Sequence, residues 1–576
     1  MNRKQRRAAV KRTSSAPARA VGADTHTAAL LAEALRYEQQ RQLADAARVY
    51  HRLLTLQPAH AEAHNNLGRV LQAQGKPHEA SAAYARALTL MPQLFDQYAG
   101  ICDTLVALLP ALGEALRKAA NSWPQRLGID VLLGDSGLAA IADDPLLRCL
   151  LVATPVREIA LERLLTMLRA ALLAQATANA PANDDTLSFT CTLARQCFIN
   201  DYVFVTAPDE DAQVAGLKAQ PVASLTPLQV AVLAMYEPLG ALAIAQELLA
   251  RPWPPQVDGV LTQQIREPAQ ELALRAAMPK LTTIEDATSQ RVRAQYEENP
   301  YPRWVYPAGQ VEPVALDDYL RAQFPAIPFA ASGKTDELDI LVAGCGTGWQ
   351  AVSIAQKFLG ARVLAVDLSL ASLAYAKRNT PAELAGRIEY AQADILKLGA
   401  FEGRFDVIEA SGVLHHTADW RAAWRILLSR LAPDGFMHIG LYSEAARRDV
   451  VAARTFIADG GYRATPEEIR RCRQDLMATP LRSVARFADF FSTSECRDLL
   501  FHTQEARVTI ADIKAFLAEA DLRFIGFDFD ASAQQRLRAL FTQSGWSLTD
   551  LDRWHALETS EPNLFAGMYQ FWVQKR

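Results

Sequence analysis

Residues 338–367 read LDILVAGCGTGWQAVSIAQKFLGARVLAVD. An aliphatic run, 338–343, enters the bend Gly344-Cys345-Gly346-Thr347-Gly348, and helical spacing of apolar residues resumes at Trp349. Glycines in such a bend tolerate positive φ and let a ligand approach the backbone. They do so at the carboxyl edge of a parallel sheet, where open α/β folds bind ligands. A second run, 362–367, ends in Asp367, close to the spacing of about 20 residues expected of an acid that grips ribose hydroxyls. Two cofactor classes share this geometry. A dinucleotide site calls for Gly or Ala at the third fingerprint position, so that helix and pyrophosphate come close. Trp349 stands there, which disfavours a dehydrogenase.

Further short runs at 387–392, 405–410 and 436–441, and near 522–529 and 567–574, alternate with helical stretches. This alternation predicts an α/β, Rossmann-like domain with a mostly parallel seven-stranded sheet.

The same residues resemble the class I S-adenosylmethionine-dependent methyltransferases. AGCGTG is similar to their first motif and LAVDLS to the segment with the ribose-binding acid. Ala393-Asp394-Ile395 resembles the segment whose Asp meets the adenine amine. FDVIEASGVLHHTAD and LAPDGFMHIG resemble the fourth strand with its loop and the turn before the fifth strand. The resemblance implies S-adenosyl-L-methionine as cofactor, held by Gly344, Cys345, Gly346, Gly348, Asp367, Leu368, Asp394, Ile395 and Ser411, and no metal. It also implies that the element ahead of the first strand, QYEENPYPRW, folds over the cofactor. By position, Tyr296, Tyr301, Arg303 and Trp304 then close the site, with Arg303 on the methionyl carboxylate. The alternative is a Pro-rich linker that only packs its aromatics on the domain.

His415 and His416 follow the fourth strand at the edge where an acceptor would sit. They are the candidates for a catalytic base or for positioning the acceptor; the other reading is that they shape the loop. The stretch 442–510 is an insertion at the same edge, a common place for an acceptor pocket. It sets Arg497, Asp498, His502 and Glu505 at neighbouring helical positions, to bind a polar acceptor or to form a salt-bridged surface.

Ahead of this domain, aligning Pro58 with Pro92 gives a 34-residue period that brings Ala34/Gly68, Ala46/Ala80 and Tyr50/Tyr84 into register. The period, and the resemblance at Leu67, Gly68, Ala80, Tyr84 and Pro92, identify two tetratricopeptide units over 25–93. Such repeats bury their faces only against neighbours, so the segment after them is expected to cap the stack, with Phe95, Tyr98 and Ile101 as candidates. Residues 1–24 form a basic tail with Arg3, Lys4, Arg6 and Arg7 near its start. Residues 94–280 read as an all-α domain in which Cys191, Cys197 and Tyr202 are core. The chain is thus expected to be multidomain: an N-terminal all-α part, then a methyltransferase domain over 281–576. The whole resembles a bacterial group of repeat-linked methyltransferases.

Half of the 576 residues are hydrophobic, 22% are charged and the formal net charge is -4. This balance gives no global pull toward nucleic acid or anionic membrane, leaving the basic tail as the local exception. The seven cysteines show no CxxC pair, which speaks against structural zinc. Without a signal-peptide pattern or a long apolar run, a cytoplasmic protein with no membrane contact is expected. Two functions stand. One is methyl transfer to a protein, peptide or other large acceptor presented by the repeats. The other is a scaffold whose repeats do the work beside a cofactor-sensing or inactive domain.

Overall fold

The computed structural model describes residues 20–91, 101–307, 312–325 and 327–576. The N-terminal period becomes four helices, Ala20–Gln39, Leu43–Leu56, Ala61–Ala73 and Pro77–Leu90. Its small residues explain the pairing: Ala34, Ala46 and Ala80 are fully buried. A Cβ at Gly68 would stand 2.8 Å from the Tyr84 ring. Tyr50 donates its hydroxyl proton to Glu38 at 3.2 Å, and Tyr84 does the same to Gln72 at 3.0 Å. One hydrogen bond thus recurs a repeat apart.

Phe95, Tyr98 and the tail's arginines and lysines up to Arg19 lie outside the described residues. Ile101 opens the helix Ile101–Leu108. This helix and the segment Asp144–Cys149 belong to the same compact unit as the repeats, which runs to Pro110. Leu146 N–H donates to the buried Ser81 hydroxyl at 3.0 Å, and the Cys149 thiol meets the Ala85 carbonyl at 3.5 Å. The stack is therefore finished by segments beyond the boundary expected at 93, because the last repeat helix needs a neighbour for its buried face.

The second compact unit comprises 111–143 and 150–576. Its sheet holds β1 (Leu338–Ala343), β2 (Ala361–Asp367), β3 (Ile388–Gln392), β4 (Phe405–Ser411), β5 (Leu431–Leu441), β6 (Leu522–Phe527) and β7 (Tyr569–Lys575). The order is β3-β2-β1-β4-β5-β7-β6, with β7 antiparallel to both neighbours. β5 starts earlier than the expected 436, because Leu431 pairs with Phe405 across a register shift. Both faces are covered. Trp424, Phe516 and Phe571 pack on one side, and Trp304, Phe358 and Trp572 on the other, which is why the central strands read as near-continuous apolar runs. Strand order reverses between β1 and β4, and a crevice opens there at the carboxyl ends.

The insertion forms helices Arg448–Asp459, Pro466–Met477 and Thr493–Phe501 around Val450, Ile469, Cys472, Phe490 and Leu499. Ile159, from the all-helical segment, packs against this core. That segment's helix Ile159–Thr177 buries leucines on several faces together with Glu162 and Arg169. Asp201, in the left-handed region at φ 53°, ties the pieces together. Its carboxylate accepts from the Ser494 hydroxyl at 2.6 Å and pairs with Arg303 at 3.1 Å. The helical segment and the insertion thus pack against each other within this unit.

Candidate active site

At the β1/β4 switch a cavity of about 270 Å³ is lined by Gly344, Cys345, Gly346, Asp367, Leu368, Asp394, Ile395, Ser411, Tyr301 and His416, all expected from sequence. Trp349, Tyr296, Asp498, Tyr442, Met568 and Gln570 also line it. Its volume is near the lower end of pockets that take a whole small ligand, roughly 300–1,000 Å³.

The glycine bend is built for close approach. Gly346 sits at φ 51°, and a Cβ there would be 2.8 Å from the Tyr301 carbonyl oxygen. Gly348 does not line the cavity; at φ 87° it starts the helix Trp349–Lys357, and a Cβ would strike Ala376 at 2.5 Å. Trp304 is buried and donates from its indole N–H to the Thr347 carbonyl at 2.9 Å, so it pins the bend.

Asp367 is held in place by the Gly346 and Ser369 N–H groups, each at 2.8 Å. Burial pushes its pKa up to about 6, while those N–H groups oppose the rise. Asp394 accepts from Leu396 N–H at 3.0 Å through Oδ1. Burial raises its pKa; Leu396 N–H and the nearby Ser289 hydroxyl oppose this. Its buried Oδ2 has no hydrogen bond among the described residues, and an acceptor left open in this way calls for a donor. The cleft therefore offers an acceptor oxygen, an anchored carboxylate and a backbone cradle without side chains. This set fits a nucleoside with an exocyclic amine and ribose hydroxyls.

The other end of the cavity is polar and crowded with rings. The Gln504 peptide decides the protonation of two histidines there. Its carbonyl accepts from His416 Nδ1 at 2.8 Å, and its N–H donates to His502 Nδ1 at 3.0 Å. His416 thus carries its proton on Nδ1 and keeps a bare Nε2. His502 carries its proton on Nε2, directed at the Tyr296 hydroxyl at 3.2 Å. Tyr296 in turn donates to Asp498 at 2.5 Å. Burial lowers the pKa of both imidazoles, most opposed in His416 by Asp498. His416, Asp498 and His502 could bring ligand atoms within 4.8 Å of one another. The protonated His502 Nε2, and rings stacked at 3.8 Å, are nevertheless wrong for a shared metal, which needs converging lone pairs.

Two expected residues lie elsewhere. Arg303 does not line the cavity; it pairs with Asp201 and lies over the Phe198 ring at 5.1 Å. A buried carboxylate on the helical segment has claimed its charge, so it is not placed to receive a methionyl carboxylate. His415 is fully buried, stacks on Tyr442 at 3.8 Å and lines no part of the cavity. Burial, followed by its cationic and imidazole neighbours, depresses its pKa strongly. Of the four polar insertion residues, Asp498 and His502 belong to this end of the site. Arg497 pairs with Glu298 at 2.6 Å, and Glu505 pairs with Arg447 at 2.7 Å and Arg454 at 3.0 Å. Tyr442, Met568, Gln570 and the Gln504 peptide carry no motif and were not expected from sequence.

The sheet order with its reversed last strand, the glycine bend after β1 and the acid ending β2 define a Rossmann-like methyltransferase domain. Residues 340–435 match the family described as "Methyltransferase domain", and 61–94 match "Tetratricopeptide repeat". The chain thus carries an S-adenosyl-L-methionine-dependent methyltransferase domain behind a tetratricopeptide repeat.

It is 29% identical over 307 residues to an uncharacterized protein, syc1184_c, of Synechococcus sp., covering 50% of this chain and 71% of that protein. It is 33% identical over 144 residues to the release factor glutamine methyltransferase of Chlorobaculum tepidum, covering 23% of this chain and 47% of that one. Among solved structures it is similar to PKMT2 from Rickettsia typhi in complex with AdoHcy, at 15% identity and a TM-score of 0.36 over 46% of this chain and 53% of that one. The match spans about half the length of each of the last two. Among the described residues, no helix is long and apolar enough to cross a membrane.

Proposed function

We propose that this chain transfers the methyl group of S-adenosyl-L-methionine to a polypeptide or other large acceptor that its repeats hold. The observation that carries the reading is the pairing, in one cavity, of a nucleoside-shaped cradle with a separate polar end that includes an unprotonated imidazole nitrogen. Asp367 accepts the ribose hydroxyls, Asp394 Oδ2 accepts the adenine amine, and Gly344, Gly346, Cys345, Leu368, Ile395 and Ser411 shape the wall. When bound, the cofactor supplies an electrophilic methyl on a sulfonium. The protein's part is to align the acceptor and to exclude water, a contribution that effective-molarity arguments put at roughly 7 to 11 kcal/mol. His416 Nε2 is the base for an acceptor that arrives protonated.

A polypeptide acceptor is supported by the repeats, which as a class hold peptides in a concave groove. It is also supported by the similarity to an enzyme named for methylating a release factor. The test is to incubate cell extract with methyl-labelled S-adenosylmethionine, with and without the full-length protein. Protein-dependent label is expected in the macromolecular fraction. Label confined to small molecules would remove the large-acceptor reading, and no transfer at all would favour a scaffold.

A further inference from the structure

The polar end of the cavity holds a buried carboxylate, Asp498. Asp498 is only 3% exposed. Its short contact is the Tyr296 hydroxyl, and its histidine neighbour His502 stands 3.9 Å away. His502 is kept neutral by burial and by the adjacent His416 and Arg454. No arginine or lysine pairs with Asp498 among the described residues. The two cations that feel its charge, Arg447 and Arg454, are both held by Glu505, Arg447 at 3.0 and 2.7 Å and Arg454 at 3.0 Å, and neither makes a direct pair with Asp498 among the described residues. A buried carboxylate without a cation is costly unless a ligand supplies one. Beside it stand the bare Nε2 of His416 and the rings of Tyr296, Tyr301 and Tyr442, and tyrosine faces also favour cations.

We infer that the acceptor is an amine, bound as its ammonium ion against Asp498 and relieved of a proton by His416 Nε2 before attack. The inference rests on the methyl-transfer reading above. In the step, an N–H bond breaks and its proton moves to Nε2. The freed nitrogen lone pair forms the N–C bond as the C–S bond breaks, and the C–S bonding pair stays on sulfur. The product leaves as a methylated ammonium, and the imidazolium returns its proton to solvent.

Other acceptors fit less well. A carboxylate or thiolate is repelled by Asp498 and needs no base. A neutral alcohol brings no cation to the buried Asp498 carboxylate. Desolvation moves an alkyl ammonium down from about 10.4 in water toward the imidazole, and its pairing with Asp498 limits that fall.

The test uses the full chain, methyl-labelled S-adenosylmethionine and total cell protein, followed by alkaline treatment, acid hydrolysis and amino-acid chromatography. Label that survives alkali and elutes as methylated lysine, or as a methylated N-terminal amine, is expected. Volatile methanol after alkali (an ester) or methylamine after acid hydrolysis (an amide) would overturn the amine assignment and leave methyl transfer standing. No label, in a protein that still binds S-adenosylhomocysteine, would overturn methyl transfer itself. Asp498→Asn is expected to raise KM for the protein acceptor at least tenfold, to change S-adenosylhomocysteine affinity by less than twofold, and to be partly rescued by Asp498→Glu. An unchanged KM in a variant that still binds S-adenosylhomocysteine would also overturn the assignment.

Discussion

Arg473 Nη2 meets Glu162 Oε2 at 2.7 Å, with the two side chains 1% and 7% exposed. The pair joins the insertion to the helical segment across most of the chain's length, and Arg473 also donates from Nε to the Phe490 carbonyl at 2.8 Å. Removing one partner strands a buried charge, so Glu162→Ala is expected to cost about 3 to 5 kcal/mol. The double change Glu162→Leu with Arg473→Met should recover much of that. Denaturant titration of the three variants checks it; a single variant within 1 kcal/mol of wild type would contradict it.

Cofactor affinity should follow the state of Asp367. Its pKa is pushed up to about 6 by burial, and in the role proposed above the ionised form is the one that accepts from both ribose hydroxyls. The Kd for S-adenosylhomocysteine is therefore expected to be flat above pH 7 and to rise toward tenfold per unit below about 6. Asp367→Asn should bind weakly with no such slope. Calorimetry between pH 5 and 8 reads both.

His416→Ala should lower turnover by about 10²- to 10⁴-fold, the usual contribution of a positioned base, while S-adenosylhomocysteine still raises the melting temperature. His415→Ala should leave the shape of the pH–rate profile intact, since that ring is walled off behind Tyr442. Reversed behaviour of the two variants would move the base role from His416 to His415.

Glu495 is buried, with an unpartnered Oε2, and burial pushes its pKa up to about 8, with Arg157 opposing and Asp489 adding to the rise. The folded state thus binds a proton that the unfolded chain releases near 4.5. Stability from this group is full below about 4.5 and is lost as pH rises toward 8. Glu495→Gln stays neutral throughout. Thermal melts should show the variant gaining on wild type between pH 5 and 8, with the two coinciding in acid.

Gly68→Val drives a side chain into the Tyr84 ring, from which even a Cβ would be only 2.8 Å away. Overpacking of this kind costs about 1 to 3 kcal/mol. Hydrogen exchange should speed up across 61–90 and stay unchanged in the sheet.

The sheet and the cofactor half of the cavity were legible in the sequence because they are local. Each strand is one contiguous run, and Gly346 and Asp367 stand at the ends of adjacent strands at a fixed spacing. The strand bounds differ from expectation by a few residues, most at β5, where pairing continues past Pro433. The polar end was not legible, because it is made of coincidences between distant stretches. Asp498 and His502 stood out only as polar residues one helical turn apart, where a salt-bridged helix surface is the blander and slightly favoured reading. Nothing around Gln504 signals that its peptide sets the tautomer of two rings. Arg303 lay in a suggestive motif, but its charge was already committed to Asp201, a residue that reads as the end of a core helix.

Asp201 holds two strings at once, one leading to the segment over the glycine bend and the other to the helix that bears Asp498. The cleft is therefore a composite, with its nucleoside side cast by the sheet and its opposite wall hung from a helical body over a hundred residues upstream. A change at Asp201 would loosen both Ser494 and Arg303 without touching a cavity-lining atom. A transplant of 442–510 into another chain would arrive without its anchor unless the upstream body came along.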